Sequence, residues 1–340
     1  MLFQPAIIAL LVASTINAAV VIGVLPFAVS ILRHWNLASG SQRQLALERR
    51  TYLVSTIVAL VLGVQLIALL LYIFNADRMS TMFVGAMCAV GTLTVNTYGF
   101  PALFAQVAVF FSAAVWLAVN HTDIQAPDYP LVRTKYALLL GLAPLLVAAS
   151  ALQWRYFLGL HADVITSCCS RLFASSARGV SADLAAWPPL PAMIAFYSSI
   201  GAATLTAAWV ATRRRGGYLL ALTSLIAGVV GVAGIVAFVS VYVYEQPFHH
   251  CPFCLLKSDY GYIGYALYIP LFGATASGLS AGAIQRFARV PTLRDIVPAF
   301  CARLARWSAL GFATVAIVAT IIILRSHLIL IGSTSTGVTP

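Results

Sequence analysis

The chain has 340 residues, of which 61% are hydrophobic and only 9% are charged, and its mean hydropathy is +0.94. A soluble domain carries roughly a quarter charged residues, so this composition excludes a water-soluble globular protein and also excludes intrinsic disorder. The formal net charge of +11 does not indicate nucleic-acid binding, because the arginines flank apolar segments and no basic stripe interleaved with aromatic residues occurs.

Eight apolar segments reach the length of about 20 residues that a helix needs to cross the hydrocarbon core of a bilayer. The first begins like a signal peptide, but no basic segment precedes it and its apolar run continues to Leu32, so we interpret it as a retained span. The sequence therefore predicts an all-α polytopic membrane protein with about eight transmembrane helices. The predicted spans lie near residues 5–32, 51–74, 101–120, 136–159, 191–212, 218–244, 261–284 and 307–330.

Basic residues are distributed unevenly between the two sets of loops that these spans create. Fourteen of the 20 Lys and Arg residues fall in one set, and six fall on the other side. Basic loops remain in the cytoplasm, so the bias predicts a plasma or inner membrane protein with both termini extracytoplasmic. The basic loops are 33–50, 121–135, 213–217 and 285–306.

Five of the six cysteines share the predicted extracytoplasmic side, whereas cysteines that only fill an apolar core would be scattered along the spans. The first lies in segment 76–100, which is apolar enough to enter lipid but rich in Gly, Thr and Asn. Such a segment is tolerated at membrane depth when protein covers it, so we predict a re-entrant or interfacial element. The five residues are Cys88, Cys168, Cys169, Cys251 and Cys254.

Segment 161–190 is the longest predicted outer loop, and it holds the adjacent Cys168 and Cys169. Adjacent cysteines rarely bridge each other, because the resulting ring is strained, so one thiol is available to another partner. Vicinal thiols can also offer two thiolates to one soft metal ion. A permanent disulfide that holds the loop is the third interpretation.

The strongest local signal is the Cys-Pro-Phe-Cys tetrad at 251–254, directly before the seventh span and preceded by His249 and His250. The tetrad resembles the active-site sequence of glutaredoxins, and thioredoxin-like motifs use the same spacing. This resemblance implies a first thiol at a helix N-terminus, where the helix dipole and free N–H groups stabilise a thiolate. We therefore expect a helix to begin at the tetrad, with Cys251 as the attacking thiol and Cys254 as the resolving thiol.

His249 and His250 have three interpretations. With the neighbouring thiols they could complete a zinc or copper site, since imidazole and thiolate suit both metals. They could instead be cationic neighbours that lower the pKa of a thiol, or ordinary solvated loop residues.

The two halves of the chain run through spans and loops in the same order, and similar residues precede spans three and seven, at 98–103 and 260–267. Two parallel four-helix repeats about an axis along the membrane normal would bring the Cys88 segment and the tetrad to one outer cavity. The predicted organisation is a first four-span half at 1–160, an extracytoplasmic loop at 161–190 and a second four-span half at 191–340.

The first hypothesis for function is an integral membrane thiol–disulfide oxidoreductase acting at the extracytoplasmic face. Cys88 or the Cys168–Cys169 pair would pass the disulfide on, to a thiol or redox protein or toward a quinone. This logic is similar to that of the vitamin K epoxide reductase and disulfide-bond B families, although only the Cys-x-x-Cys spacing matches. An interfacial aromatic belt is the other interpretation of the candidate quinone-binding residues, which are Tyr260, Tyr262, Tyr265 and Tyr268.

The second hypothesis is a membrane protein that binds or delivers a soft metal ion such as Cu(I), Zn(II) or Hg(II). The spans hold few polar residues and no acidic residue at mid-depth, so we expect capture at the outer face rather than transport. The polar residues interpreted as isolated are Gln65, Gln106, Asn120 and Ser150. The candidate metal ligands are Cys251, Cys254, His249, His250, Cys168 and Cys169.

The third hypothesis is a non-catalytic membrane subunit of a larger, electron-transfer complex. Small residues in the last spans permit tight helix contacts, inside the chain or with other subunits. Under all three hypotheses the expected surroundings are a lipid bilayer and extracytoplasmic protein partners, and not nucleic acid. The relevant small residues are Gly228, Gly231, Gly234, Gly273, Gly278 and Gly282.

Overall fold

The computed structural model describes residues 3–36, 41–161, 164, 166, 180–328 and 330. These residues form helices and turns without a strand, and eight of the helices are long and apolar enough to cross a membrane. The predicted fold class is confirmed. The spanning helices are α1 (Pro5–His34), α2 (Gln42–Arg78), α3 (Gly99–Ile124), α4 (Val132–Leu158), α5 (Pro189–Arg213), α6 (Gly217–Tyr244), α7 (Ile263–Gln285) and α8 (Ile296–Arg325).

Two spans begin earlier than hydropathy predicts. α2 begins at Gln42 rather than near 51, and α8 covers Ile296–Arg325 rather than 307–330. At 37 residues α2 is about 55 Å long, well beyond the roughly 30 Å of hydrocarbon that hydropathy detects. These helices continue beyond the hydrocarbon core into polar surroundings, where charged residues are tolerated. Hydropathy therefore does not detect their ends.

Short helical segments connect the spans. Segment 76–100 contains two of them and no spanning helix, in agreement with its composition, and its re-entrant or interfacial placement stays a prediction. The segments are Met79–Met82, Ala89–Leu93, Val180–Ala185, Cys254–Leu256, Ser258–Tyr260, Arg286–Arg289 and Pro291–Leu293.

The first of two compact units contains residues 1–76, 93–164 and 283–301, and so α1, most of α2, α3 and α4. Within this unit α4 packs against both α1 and α3. Its buried apolar core includes Val21 of α1, Val58 of α2, Trp116 of α3 and Tyr136 of α4. The first span is therefore part of the folded core of this unit.

Four carboxamide side chains are linked across the interior of the first unit, one from each of its four spanning helices. The expectation that Gln65, Gln106, Asn120 and Ser150 are isolated is wrong, because facing helices supply partners for all four. An unpaired amide in an apolar interior is unfavourable. Asn17 donates to Gln65, Gln65 to Gln106, Gln106 to Gln153, and Gln153 to the carbonyl of Leu10.

A buried ion pair joins α3 to α4 in the same unit. Lys135 Nζ lies 2.7 Å from Asp123 Oδ2, and the two side chains are 1% and 0% exposed. Asn120 Oδ1 also accepts a hydrogen bond from Lys135 Nζ, at 3.1 Å. Asp123 neutralises the charge of Lys135, so Lys135 does not contribute to the excess of basic residues that predicts the topology. The prediction depends on the other basic residues of the same loops.

The second unit contains residues 77–92, 165–282 and 302–340, and so α5, α6, α7 and most of α8. A Cβ at Gly278 of α7 would lie 2.0 Å from Ser224 Oγ of α6, and one at Gly282 would lie 2.4 Å from Ala221 Cβ. These glycines therefore serve contacts inside the chain. The internal repeat and the division into 1–160, 161–190 and 191–340 stay predictions.

Candidate three-cysteine centre

Three cysteine side chains meet inside the second unit. Cys88 Sγ and Cys251 Sγ are 3.5 Å apart, and the Sγ atoms of Cys88, Cys251 and Cys254 all lie within 4.8 Å of one another. The three residues are 0%, 1% and 5% exposed, respectively. We call this group the three-cysteine centre. The prediction that Cys88 or the Cys168–Cys169 pair lies within reach of the tetrad is confirmed for Cys88, and no other such group of potential metal ligands occurs among the described residues.

The Cys88 segment is fixed by a close backbone approach. Gly85 has a φ of +86°, and a Cβ there would lie 2.2 Å from the carbonyl oxygen of Thr166. Thr166 N in turn donates to Val84 O at 3.0 Å. Only glycine fits this combination of positive φ and close contact, and the turn leads to Cys88 just before the short helix Ala89–Leu93.

Two tyrosine hydroxyls hold the backbone of the tetrad. α6 ends at Tyr244, and the next residue, Glu245, has a left-handed φ of 53°, which turns the chain toward the tetrad. The Tyr244 hydroxyl then donates to Cys251 O at 2.6 Å, and the Tyr268 hydroxyl of α7 donates to Pro252 O at 3.0 Å. The sequence predicts neither role, because no local pattern indicates which carbonyl oxygen a tyrosine hydroxyl will reach.

The prediction that a helix begins at the tetrad is wrong. A 3₁₀ helix of three residues begins at Cys254, residues 251–253 form a turn, and α7 begins only at Ile263. The tyrosine hydroxyls stabilise the turn by satisfying two of its carbonyl oxygens. Because a three-residue helix has little dipole, the helix-based reason for Cys251 to be the more acidic thiol no longer applies.

A lysine places positive charge beside the centre. Lys257 Nζ donates to the carbonyl of Met87 at 2.7 Å, and Lys257 N donates to Cys254 O at 3.1 Å. This ammonium group also lies 3.7 Å from Asp259 Oδ2. Burial raises the pKa of Tyr260, and the negative charge that Cys254 carries when ionised raises it further, so the Tyr260 hydroxyl stays neutral.

The two histidines lie beside the centre rather than in it. The His249 ring packs edge-on against Tyr244, with centroids 4.4 Å apart, and its Nε2 is buried without a hydrogen-bond partner. His250 Nδ1 lies 3.1 Å from Val236 O, within the π-helical turn Ile235–Val239 of α6. Neither ring belongs to the group of ligand atoms within 4.8 Å.

The remaining predicted site residues are placed as follows. The Tyr260 ring packs against Tyr244 at 4.7 Å, whereas the half-exposed Tyr262 faces Tyr265 at 6.3 Å. Tyr260, Tyr262 and Tyr265 therefore form two separate ring contacts, and the role of these tyrosines and Tyr268 in quinone binding stays a prediction. Cys168 and Cys169 lie outside the described residues.

The chain matches no protein-family model, and no curated protein and no solved structure is significantly similar to it. Its function is therefore argued from the chemistry of the three-cysteine centre.

Proposed function

We propose that this integral membrane protein binds a thiophilic metal ion at the three-cysteine centre. The proposal is carried by the mutual distances of the three Sγ atoms, 3.5 Å for one pair and at most 4.8 Å for any. With metal–sulfur bonds of about 2.3 Å, thiolates around one ion lie about 4.0 Å apart when trigonal and about 3.8 Å apart when tetrahedral. Small side-chain adjustments therefore bring the three sulfurs to either arrangement.

The same distances fit exchange among the three thiols less well. In thiol–disulfide exchange the attacking, central and leaving sulfurs lie in line. Since a disulfide bond is about 2.05 Å long and the incoming sulfur is farther away, the outer two sulfurs are then roughly 5 Å apart or more. A compact triangle of sulfurs is better suited to one shared ion.

The surroundings support binding of a cation. Thiolate ligands select Cu(I), Zn(II) and Hg(II) over hard ions such as Mg(II). Three buried thiolates without a counter-charge would be strongly unfavourable, and a metal ion together with Lys257 would offset their charge. On the predicted topology the centre faces the extracytoplasmic side, so the function is capture or delivery of the ion at that face.

Metal titration of the purified, reduced protein tests this proposal. We expect one tightly bound Cu(I), Zn(II) or Hg(II) ion per chain, and Cys88→Ser, Cys251→Ser and Cys254→Ser should each lower the affinity by at least about tenfold. Cys301→Ser is the matched control, because this cysteine is equally buried but belongs to the first unit. No binding by the wild type, or an equal loss in Cys301→Ser, would contradict the proposal.

A second candidate function is thiol–disulfide redox chemistry, favoured by the 3.5 Å contact between Cys88 Sγ and Cys251 Sγ. In this reaction the two thiols lose two protons and two electrons and form a disulfide. The electrons and protons reduce the disulfide of an extracytoplasmic protein to two thiols, or a quinone to a quinol. Cys254 would then be the thiol that attacks the new disulfide.

Disulfide mapping distinguishes this second candidate. After mild oxidation with a small disulfide, non-reducing digestion and mass spectrometry should identify Cys88–Cys251 as the main linkage. A variant that retains Cys251 but carries Cys88→Ser and Cys254→Ser should trap a mixed disulfide with the partner, because no resolving thiol remains. A metal-loaded protein that resists oxidation and forms no adduct would exclude the redox candidate.

We also propose that Cys168 and Cys169 exchange the ion with the three-cysteine centre. Thr166 is hydrogen-bonded to Val84 in the segment that carries Cys88, and Cys168 follows Thr166 by two residues in the sequence. Replacing both cysteines by serine should slow transfer of the ion to a competing chelator without changing the stoichiometry of binding. Unchanged transfer rates would contradict this role.

A further inference from the structure

His249 has a buried imidazole nitrogen that no neighbouring group satisfies. Its Nε2 is buried and has no hydrogen-bond partner, although its ring is fixed by an edge contact with Tyr244. Tyr244 also holds the backbone of Cys251 through the 2.6 Å hydrogen bond from its hydroxyl. Buried polar atoms without a partner are uncommon in native proteins, and this one belongs to the residue two positions before Cys251, so its lone pair is available to an ion held by the three-cysteine centre.

The neighbouring His250 provides the contrast. Its Nδ1 donates to Val236 O at 3.1 Å, and the same carbonyl accepts the Ser240 hydroxyl at 3.1 Å. His250 is therefore held by the π-helical turn of α6, a type of turn that is frequent at functional sites. Of the two histidines, His249 is the one with a buried nitrogen still available as an acceptor.

We propose that His249 Nε2 is the fourth ligand of the bound ion, which makes the centre a Cys₃His site for a divalent ion of the zinc type. This inference rests on the proposed metal-binding function. Three thiolates and one imidazole are a common tetrahedral ligand set for Zn(II). Binding then requires the His249 ring to rotate from Tyr244 toward the three sulfurs, on the loop that leads directly into Cys251.

The charges of the centre support a divalent ion. Three thiolates with Zn(II) leave one net negative charge, and Lys257 offsets part of it, although Asp259 Oδ2 also lies 3.7 Å from its ammonium group. With Cu(I) two negative charges would remain in a buried site. Since uncompensated buried charge is unfavourable, the centre should prefer the divalent, four-coordinate ion.

Cobalt(II) is the probe for this ligand set, because its spectrum reports thiolate ligands and coordination geometry separately. The reduced wild-type protein with Co(II) should show thiolate-to-cobalt charge-transfer bands and the intense visible d–d bands of a tetrahedral site. His249→Ala should keep the charge-transfer bands but shift and weaken the d–d bands, and should lower Zn(II) affinity by about tenfold or more. His250→Ala, the matched control, should leave both sets of bands unchanged.

The outcomes separate this inference from the function on which it rests. The absence of charge-transfer bands in the wild type would overturn the metal-binding function itself. Charge-transfer bands with d–d bands that His249→Ala does not alter would overturn only the role of His249, as would an equal effect of His250→Ala. His249→Cys provides a rescue that does not depend on the alanine variant folding well, since it should restore the tetrahedral d–d bands with stronger charge transfer.

Discussion

The backbone of the three-cysteine centre is held by two tyrosine hydroxyl groups in addition to the contacts of the cysteines themselves. Spacing and predicted topology indicated that Cys88 and the tetrad could meet. The hydroxyl groups of Tyr244 and Tyr268 reach the carbonyls of Cys251 and Pro252 only after α6 and α7 have folded. Sequence can therefore predict the chemistry of the centre, whereas the turn that holds it depends on tertiary contacts.

Removal of the Tyr244 hydroxyl should weaken metal binding. Tyr244→Phe keeps the ring against His249 but leaves the buried carbonyl of Cys251 without its 2.6 Å donor. An unsatisfied buried group costs about 1–3 kcal/mol, so we expect roughly tenfold lower affinity in a chelator competition titration. Tyr262→Phe is the control, because Tyr262 is half exposed. Equal affinities of the two variants would show that this hydrogen bond does not organise the centre.

At the scale of secondary-structure elements, hydropathy predicts the spanning helices, whereas local motifs do not predict the connecting segments or which helices face each other. All eight spans are confirmed. Hydropathy identifies them because a chain that crosses lipid must satisfy its backbone hydrogen bonds internally, and a helix does so. The helix expected at the tetrad is wrong, since its resemblance to glutaredoxins extends over four residues without the surrounding fold. The pairing of Gln65 with Gln106 could not be predicted either, because hydropathy does not specify which helix faces which.

Close packing of α6 against α7 should depend on Gly278. A Cβ there would lie 2.0 Å from Ser224 Oγ and 2.5 Å from Ser224 Cβ, so Gly278→Ala must push the helices apart. Overpacking of this kind costs about 1–3 kcal/mol, measured as a lower free energy of unfolding in detergent. Gly273→Ala on the same helix has no atom within 4 Å of its new Cβ and should be neutral or slightly stabilising. A smaller loss for Gly278→Ala than for Gly273→Ala would contradict this packing.

The linked carboxamides should stabilise the four helices of the first unit as a group. Gln106→Leu removes both the acceptor of Gln65 and the donor of Gln153. Since two buried amides then lack a partner, we expect a loss of about 1–3 kcal/mol in the free energy of unfolding in detergent. Gln125→Leu, at an exposed position just after α3, is the control. Equal stability of Gln106→Leu and the wild type would show that the amides find other partners.

At the scale of the whole molecule, the side of the membrane that the three-cysteine centre faces decides between the candidate functions. An extracytoplasmic centre lies in an oxidising compartment, where disulfides form and persist. A cytoplasmic centre would be kept reduced by glutathione and thioredoxin, so the redox candidate would lose its oxidant while metal binding by thiolates would not. The topology is thus part of the functional argument.

Accessibility labelling of single cysteines should place both termini and the centre outside the cytoplasm. In otherwise cysteine-free chains, Ser258→Cys should react with a membrane-impermeant thiol reagent in intact cells, and Arg215→Cys should react only after permeabilisation. Both positions are exposed in the structure, so access depends on the side of the membrane. The expectation follows from the excess of basic residues in the loops that include Arg215, an excess that remains after Lys135 is neutralised by Asp123. The reverse pattern would place the centre in the cytoplasm and leave metal binding as the function to pursue.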